Sequence, residues 1–212
     1  AYHLALARAS GVTPQVIVNI GGVANVTYLD AASDPLAFDT GPGNALIDDF
    51  VAARTGKPFD DNGTLARAGS VNREALQRLL DHQYFRRDPP KSLDRNAFSL
   101  APVQGLSVED GAATLTAFTA RTIALAAQHF PAKPERFVVA GGGRRNAAIM
   151  DALKTALDAA VLTAEQAGWR GDDVEAEAFA YLAIRALKGL PLSWPTTTGV
   201  PAAQTGGVVH RV

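Results

Sequence analysis

Hydrophobic and polar positions alternate along the chain in a pattern that predicts a β-led start. Residues 1–9 read as the tail of a helix, stopped by Ser10-Gly11. Two β-rich runs follow, VIVNI (16–20) and VANVTYL (23–29), joined by Gly21-Gly22. A two-residue hairpin turn needs positive φ, which glycine adopts freely, so a glycine hairpin is expected. Residues 30–35 read as a second turn and 36–38 as a third short strand, ending at DTGPGN (39–44).

Helical spacing then takes over. Leu46, Ile47, Phe50 and Val51 share one face, and Thr55-Gly56 ends that helix. Residues 57–69 read as a loop, 72–80 as a short helix, and Asp88-Pro89-Pro90 as a break before an aperiodic stretch, 91–107. The longest helix is expected over 108–129, a buried strand over 136–140, a helix over 146–157, a brief strand at 161–162 and a last helix over 174–187. Strands first, then strands alternating with helices, predict a layered α/β domain with a mixed sheet flanked by helices. No linker divides the 212 residues, so one domain is the expectation.

Composition narrows the function classes. With 20 Lys and Arg against 21 Asp and Glu, the net charge of −1 argues against nucleic acid as the main partner. There is no cysteine, which removes disulfides, cysteine metal sites and thiol nucleophiles together and favours the cytoplasm. No apolar run approaches the ~20 residues of a membrane span, so no membrane partner is expected.

Several common motifs fail. TGKP (55–58) lacks the glycine and hydroxyl residue of a Walker A loop, and Gly141-Gly142-Gly143 is not GxGxxG. His3, His82, His129 and His210 have no metal-ligand spacing and read as surface or lightly packed residues. What remains is three glycine-rich turns, each at a strand end: NIGGVANVT (19–27), DTGPGN (39–44) and VVAGGGRRN (138–146). Successive amides in such turns make anion cradles, and glycine lets a phosphate approach the backbone. DTGPGN opens a helix, so its amides and the helix dipole favour negative charge. Asp39 beside such a cradle would repel phosphate unless a cation such as Mg²⁺ lies between them. Asn146 is a natural N-cap. Any one of these turns alone is ordinary turn chemistry; three in one domain point to nucleotide binding.

In the last helix Glu175, Phe179, Leu182, Ala183 and Ala186 share a face, so Glu175 begins the stripe expected to be buried. It either faces solvent in the first turn, where the dipole favours acid, or lines a cleft and meets a polar ligand. Glu177 lies on the other side, and Asp172 and Asp173 are N-cap candidates. Lys91 and Arg95, in PPKSLDRNAF (89–98), read as a solvated basic loop.

Taken in order, NIGGVANVT, FDTGPGNALID, FDDNGTLARAG, PPKSLDRNAF, VVAGGGRRN, EAEAFAYLA and PTTTGV resemble the anhydro-N-acetylmuramic acid kinase family over nearly the whole chain. The resemblance implies a ribonuclease-H-like, actin-like ATPase fold in a two-lobed, often homodimeric cytoplasmic enzyme of cell-wall recycling. It implies ATP and Mg²⁺ as cofactors and an amino sugar as substrate, its 1,6-anhydro bridge opened by water and its O6 phosphorylated. By the same resemblance Asn19, Gly21, Gly22, Asn25, Asp39, Thr40, Gly41, Gly43 and Asn44 belong to phosphate-binding turns, with Asp39 near the metal. Gly141, Gly142, Gly143 and Asn146 belong to the adenosine-side turn, and Glu175 matches a carboxylate of the sugar site. The family's first phosphate loop, of GTSxDG type, and its aspartate base precede the matched region and are not in this sequence, which starts at Ala1 and has Met150 as its one methionine. The expectation is a C-terminal lobe that does not turn over by itself. Two alternatives stand beside it: another sugar kinase of the same superfamily, and a non-catalytic nucleotide-binding or regulatory module.

Overall fold

A computed structural model describes residues 1–208 and 210. After the opening helix α1 (Tyr2–Ser10), the chain forms β1 (Gln15–Ile20), β2 (Val23–Leu29) and β3 (Leu36–Pro42). Helices α2 (Ala45–Thr55), α3 (Thr64–Ala68), α4 (Arg73–Leu80) and the long α5 (Val108–Leu125) follow. Then come β4 (Arg136–Ala140), α6 (Ala147–Ala156), β5 (Ala160–Thr163), α7 (Val174–Leu187) and the single turn α8 (Pro195–Thr198). The five strands form one sheet in the order β3-β2-β1-β4-β5. β2 is antiparallel to β1 and β3, whereas β1, β4 and β5 run parallel. The expected mixed sheet flanked by helices is present.

Period two decides the layers. Val16, Val18 and Ile20 of β1 face the main core, where Ile47 and Phe50 of α2, Leu115 and Phe118 of α5, and Ile149 and Leu153 of α6 meet them. Ile17 points to the opposite face and packs with Ala7 and Leu29 beneath Leu4 and Trp169. Central position explains why β1 is covered on both faces, Gln15 and Ile17 included. Close helix packing has its own residue: a Cβ on Gly111 would lie 2.2 Å from the Phe50 ring, so glycine lets α5 meet α2. Thr119 of α5 donates its hydroxyl to the Pro42 and Gly43 carbonyls at 3.2 and 3.0 Å, fastening the start of α2 to the core.

Four expectations need correction. β3 runs on through Asp39-Thr40-Gly41 to Pro42; it is the sheet edge, where proline's missing N–H leaves no ladder bond unmade. Residues 57–69 contain α3, nucleated by the Asp60 carboxylate accepting from the Leu65 and Ala66 amides at 2.8 and 2.9 Å. Lys91 is buried, donating to the Arg87 carbonyl at 2.7 Å and lying over the Tyr84 ring, while Arg95 forms an exposed 3.0 Å pair with Asp49. Finally, the apolar stripe of α7 is not buried: Phe179 is 67% exposed and Ala183 is exposed too. α7 meets the short α1 along its Tyr181 side instead, with the Tyr2 and Tyr181 rings 5.7 Å apart. Glu177, on the other side of the helix from Glu175, fastens the pair by accepting from the Tyr2 hydroxyl and Arg170.

Candidate functional site

Strand direction gathers the turns. Since β2 is antiparallel to both β1 and β3, strands β1, β3 and β4 all point the same way and end on one edge of the sheet. Ligands of α/β proteins bind outside such carboxyl ends. The three glycine-rich turns leave from these ends, and they touch. The amides of Gly43 and Ala45 donate to the Gly22 carbonyl at 2.9 and 3.2 Å, and the Asn44 amide donates to Gly21 at 2.8 Å. The third turn lies on the first: a Cβ on Gly141, whose φ is +75°, would be 2.6 Å from both Asn19 Oδ1 and the Ile20 carbonyl.

These contacts sort the glycines. A Cβ on Gly41 would meet Thr122 at 2.8 Å, on Gly43 the Gly21 carbonyl at 2.3 Å, and on Gly143 the Ile20 side chain at 2.4 Å. Packing requires those residues. Gly21, Gly22 and Gly142 are different, because a Cβ there finds no atom of the chain nearer than 3.7 Å and none of the three has left-handed φ. The positive-φ hairpin expected at Gly21-Gly22 is therefore corrected. Glycine at these positions clears space outside the fold, and the Gly22 and Gly142 amides donate to no backbone carbonyl among the described residues. A bare backbone with free donors fits a phosphate. The DTGPGN amides do not serve that way: Gly43, Asn44 and Ala45 already spend theirs on the first turn.

Two hollows open at this edge. One, of about 460 Å³, lies between the first and third turns and the start of α7, with His3, Asn19, Asn25, Gly141, Arg144 and Glu175 in its wall. The other, of about 390 Å³, lies between α2 and the third turn, with Asn44, Asp48, Asp60, Asn62 and Asn146. Gly142 and Arg145 line both. Asn19 and Asn25 reach the first hollow as cross-strand partners, and Asn146 caps α6 by accepting from the Ile149 amide at 3.2 Å.

Asp39, Thr40 and Gly41 line neither hollow. The Asp39 carboxylate accepts from the Leu93 amide at 2.8 Å, its own N–H donates to the Lys91 carbonyl at 3.0 Å, and the Tyr84 hydroxyl donates to its carbonyl at 2.6 Å. Asp39 thus clips the 91–93 segment to the sheet edge, and burial raises its carboxyl above the usual range. Thr40 is buried and donates to the Ala24 carbonyl at 3.2 Å. Among the described residues no group of three or more His, Asp and Glu side chains is placed to hold a metal, at Asp39 or elsewhere.

Charge is arranged around the third turn. Arg144 is buried and bound through all three nitrogens: it donates to Glu165 at 2.8 Å, Asp172 at 2.5 Å and the Gly141 carbonyl at 2.8 Å. Asp172, expected as a cap, instead ties this turn to the approach of α7. His3 is half-buried in the wall of the first hollow. It shares a 2.9 Å bond between Nδ1 and Thr27 Oγ1, and burial together with the N-terminal ammonium lowers its pKa to about 4. Asp48 is pushed up to about 6, by burial first and then by Asp49 and Asp60 against Arg95. Sequence reasoning missed His3, Asp48, Arg144 and Arg145 as wall residues; the last three stand inside quoted motifs, whereas a lone histidine on α1 carried no signal.

The sequence profile of the family described as anhydro-N-acetylmuramic acid kinase matches residues 1–211. The chain belongs to the anhydro-N-acetylmuramic acid kinase family. It is 57% identical to the anhydro-N-acetylmuramic acid kinase of Rhodospirillum rubrum over 98% of its own length and 55% of that protein's. With that of Paramagnetospirillum magneticum identity is 54%, over 99% of this chain and 59% of the relative. The chain thus spans little more than half the length of these relatives. Among solved structures, xylulose kinase from Rhodospirillum rubrum shares the fold at a TM-score of 0.51 and 18% identity, over 82% of this chain and 41% of that one. No helix among the described residues is long and apolar enough to cross a membrane.

Proposed function

We propose that this chain supplies one lobe of an ATP-dependent cytoplasmic kinase acting on 1,6-anhydro-N-acetylmuramic acid. The observation that carries the reading is the meeting of two hollows at Gly142 and Arg145, beside bare glycine backbone. A transfer between two substrates needs adjoining seats with an anion cradle at the join.

In this reading the second hollow takes the nucleoside, the Gly22 and Gly142 amides donate to its phosphates, and the first hollow takes the sugar. Asn19, Asn25 and Glu175 offer it polar groups, Glu175 accepting from a sugar hydroxyl. Water adds to the anomeric carbon as the anhydro bridge breaks, and the freed O6 receives the γ-phosphoryl group. Mg²⁺ supplies charge neutralisation when bound; with no group of three or more ligating side chains for it among the described residues, the phosphates would hold it with one or two carboxylates. Hydrolysis of this kind needs a base as well as an acid. The carboxylates in the first hollow are Glu175 and Asp172, and Asp172 is bound by two arginines that hold its carboxyl below the usual range. That supports a base contributed from outside these residues.

Calorimetry on the 212-residue chain tests the proposal. MgADP is expected to bind, the anhydro sugar alone to bind too weakly to register, and no ATP-dependent phosphorylation to occur. Absence of any nucleotide binding overturns the nucleotide reading; turnover by this chain overturns the missing base.

A further inference from the structure

Two adjacent arginines leave the third turn, and the structure gives them opposite circumstances. The Arg144 side chain is 6% exposed and each of its three nitrogens already has an acceptor, in Glu165, Asp172 and the Gly141 carbonyl, so it is held in place by the fold. The Arg145 side chain is 66% exposed and has one partner, Asp172, at 2.5 Å. A single carboxylate oxygen, Asp172 Oδ1, receives both guanidinium groups. Arg145 is therefore held by a shared acceptor and keeps most of its five N–H donors free. Its place is equally specific. It borders both hollows, next to Gly142, whose amide is free and whose missing Cβ leaves the backbone open.

We propose that Arg145 is the cation that grips the nucleotide polyphosphate at the join of the two hollows, exchanging the Asp172 carboxylate for phosphate oxygens. The inference rests on the nucleotide reading above and deepens it. A guanidinium presents a planar fork suited to two phosphate oxygens, and Asp172 occupies that fork as a resident anion until a ligand displaces it. Arg144 keeps Asp172 in place throughout, so the carboxylate has a second partner to fall back on when Arg145 leaves. Exchange then costs less than breaking an isolated ion pair.

The experiment is MgADP binding to the 212-residue chain, wild type and variants, with thermal melting as the control for folding. Arg145→Gln is expected to weaken MgADP binding about tenfold or more, the range of a lost charge-assisted bond, without lowering the melting temperature. Arg145→Lys is expected to restore part of the loss. Asp172→Asn keeps an acceptor for Arg144 but removes the competing charge, and is expected to tighten binding several-fold. Equal affinity in wild type and Arg145→Gln, or weaker binding in Asp172→Asn with an unchanged melt, overturns the role of Arg145 while the nucleotide reading stands. Absence of MgADP binding to wild type overturns both.

Discussion

The Asn44 side chain donates from Nδ2 to the Ile20 carbonyl at 3.2 Å, although Asn44 stands at the N-cap of α2 and could have capped that helix. Its own amide reaches Gly21 at 2.8 Å, so one residue at the end of the third strand holds the last residue of the first and the turn beyond it. A capping function has been given up to join two turns. Replacing Asn44 by alanine leaves the Ile20 carbonyl without its side-chain donor and is expected to cost about 1–2 kcal/mol. Urea denaturation measures that loss, and calorimetry is expected to show weaker MgADP binding as the turns separate.

Gly43 and Gly22 sit in the same contact and are expected to respond differently to the same methyl group. A Cβ on Gly43 collides with the Gly21 carbonyl at 2.3 Å, and backbone cannot move aside as a flexible side chain can. Gly43→Ala is expected to destabilise by about 1–3 kcal/mol or more. A Cβ on Gly22 comes no closer than 3.7 Å to Ala45, so Gly22→Ala is expected to leave stability within about 0.5 kcal/mol while MgADP binding falls. Melting curves and binding isotherms on the two variants check both halves. Equal loss of stability in the two would show that Gly22 serves the fold.

What the sequence revealed, and what it withheld, follows from the range of each signal. β-branched runs locate β1, β2 and β4 because a pleated, buried strand has a local pattern. Asp39 to Pro42 look like a turn because their composition is that of turns; only pairing with β2 makes them a strand. Periodicity found the apolar face of α7, but no local pattern says whether another part of the chain covers it, and Phe179 lies open. The same limit applies at the site. Three turns were legible as glycine-rich, whereas their common edge depends on the directions of β1, β3 and β4. Asp39 shows the same limit, since its place near a phosphate motif suggests metal, whereas its partners Leu93, Lys91 and Tyr84 are brought to it only by the fold.

His3 makes stability depend on pH in a stated direction. Its pKa is about 4 in the folded chain and near 6.5 when unfolded, so between these values the unfolded chain binds more protons. Stability attached to His3 is complete above about pH 6.5 and is lost as pH falls toward 4, by up to about 3 kcal/mol. His3→Gln keeps a partner for Thr27 and cannot charge. Urea midpoints at pH 7.5, 5.5 and 4.5 are expected to fall more steeply in wild type than in His3→Gln, and parallel profiles would place the titration elsewhere.

Asp48 has the opposite sign. Its carboxyl is raised to about 6, so between roughly pH 4 and 6 the folded chain holds the proton that the unfolded chain has released, and stability declines as pH rises through that window. Above pH 6 the folded chain carries a partly buried charge whose neighbours Asp49 and Asp60 repel it. Asp48→Asn has the same shape and no charge. It is expected to stabilise the chain by about 1–2 kcal/mol at pH 7.5, after allowance for solvent screening, and by nothing measurable at pH 4. Retaining a destabilising carboxylate in the wall of the second hollow suits a group that accepts hydrogen bonds from a ligand. The same variant is therefore expected to bind MgADP about tenfold more weakly at pH 7.5 while melting at a higher temperature. A variant that gains stability and loses no affinity would remove Asp48 from the nucleotide seat.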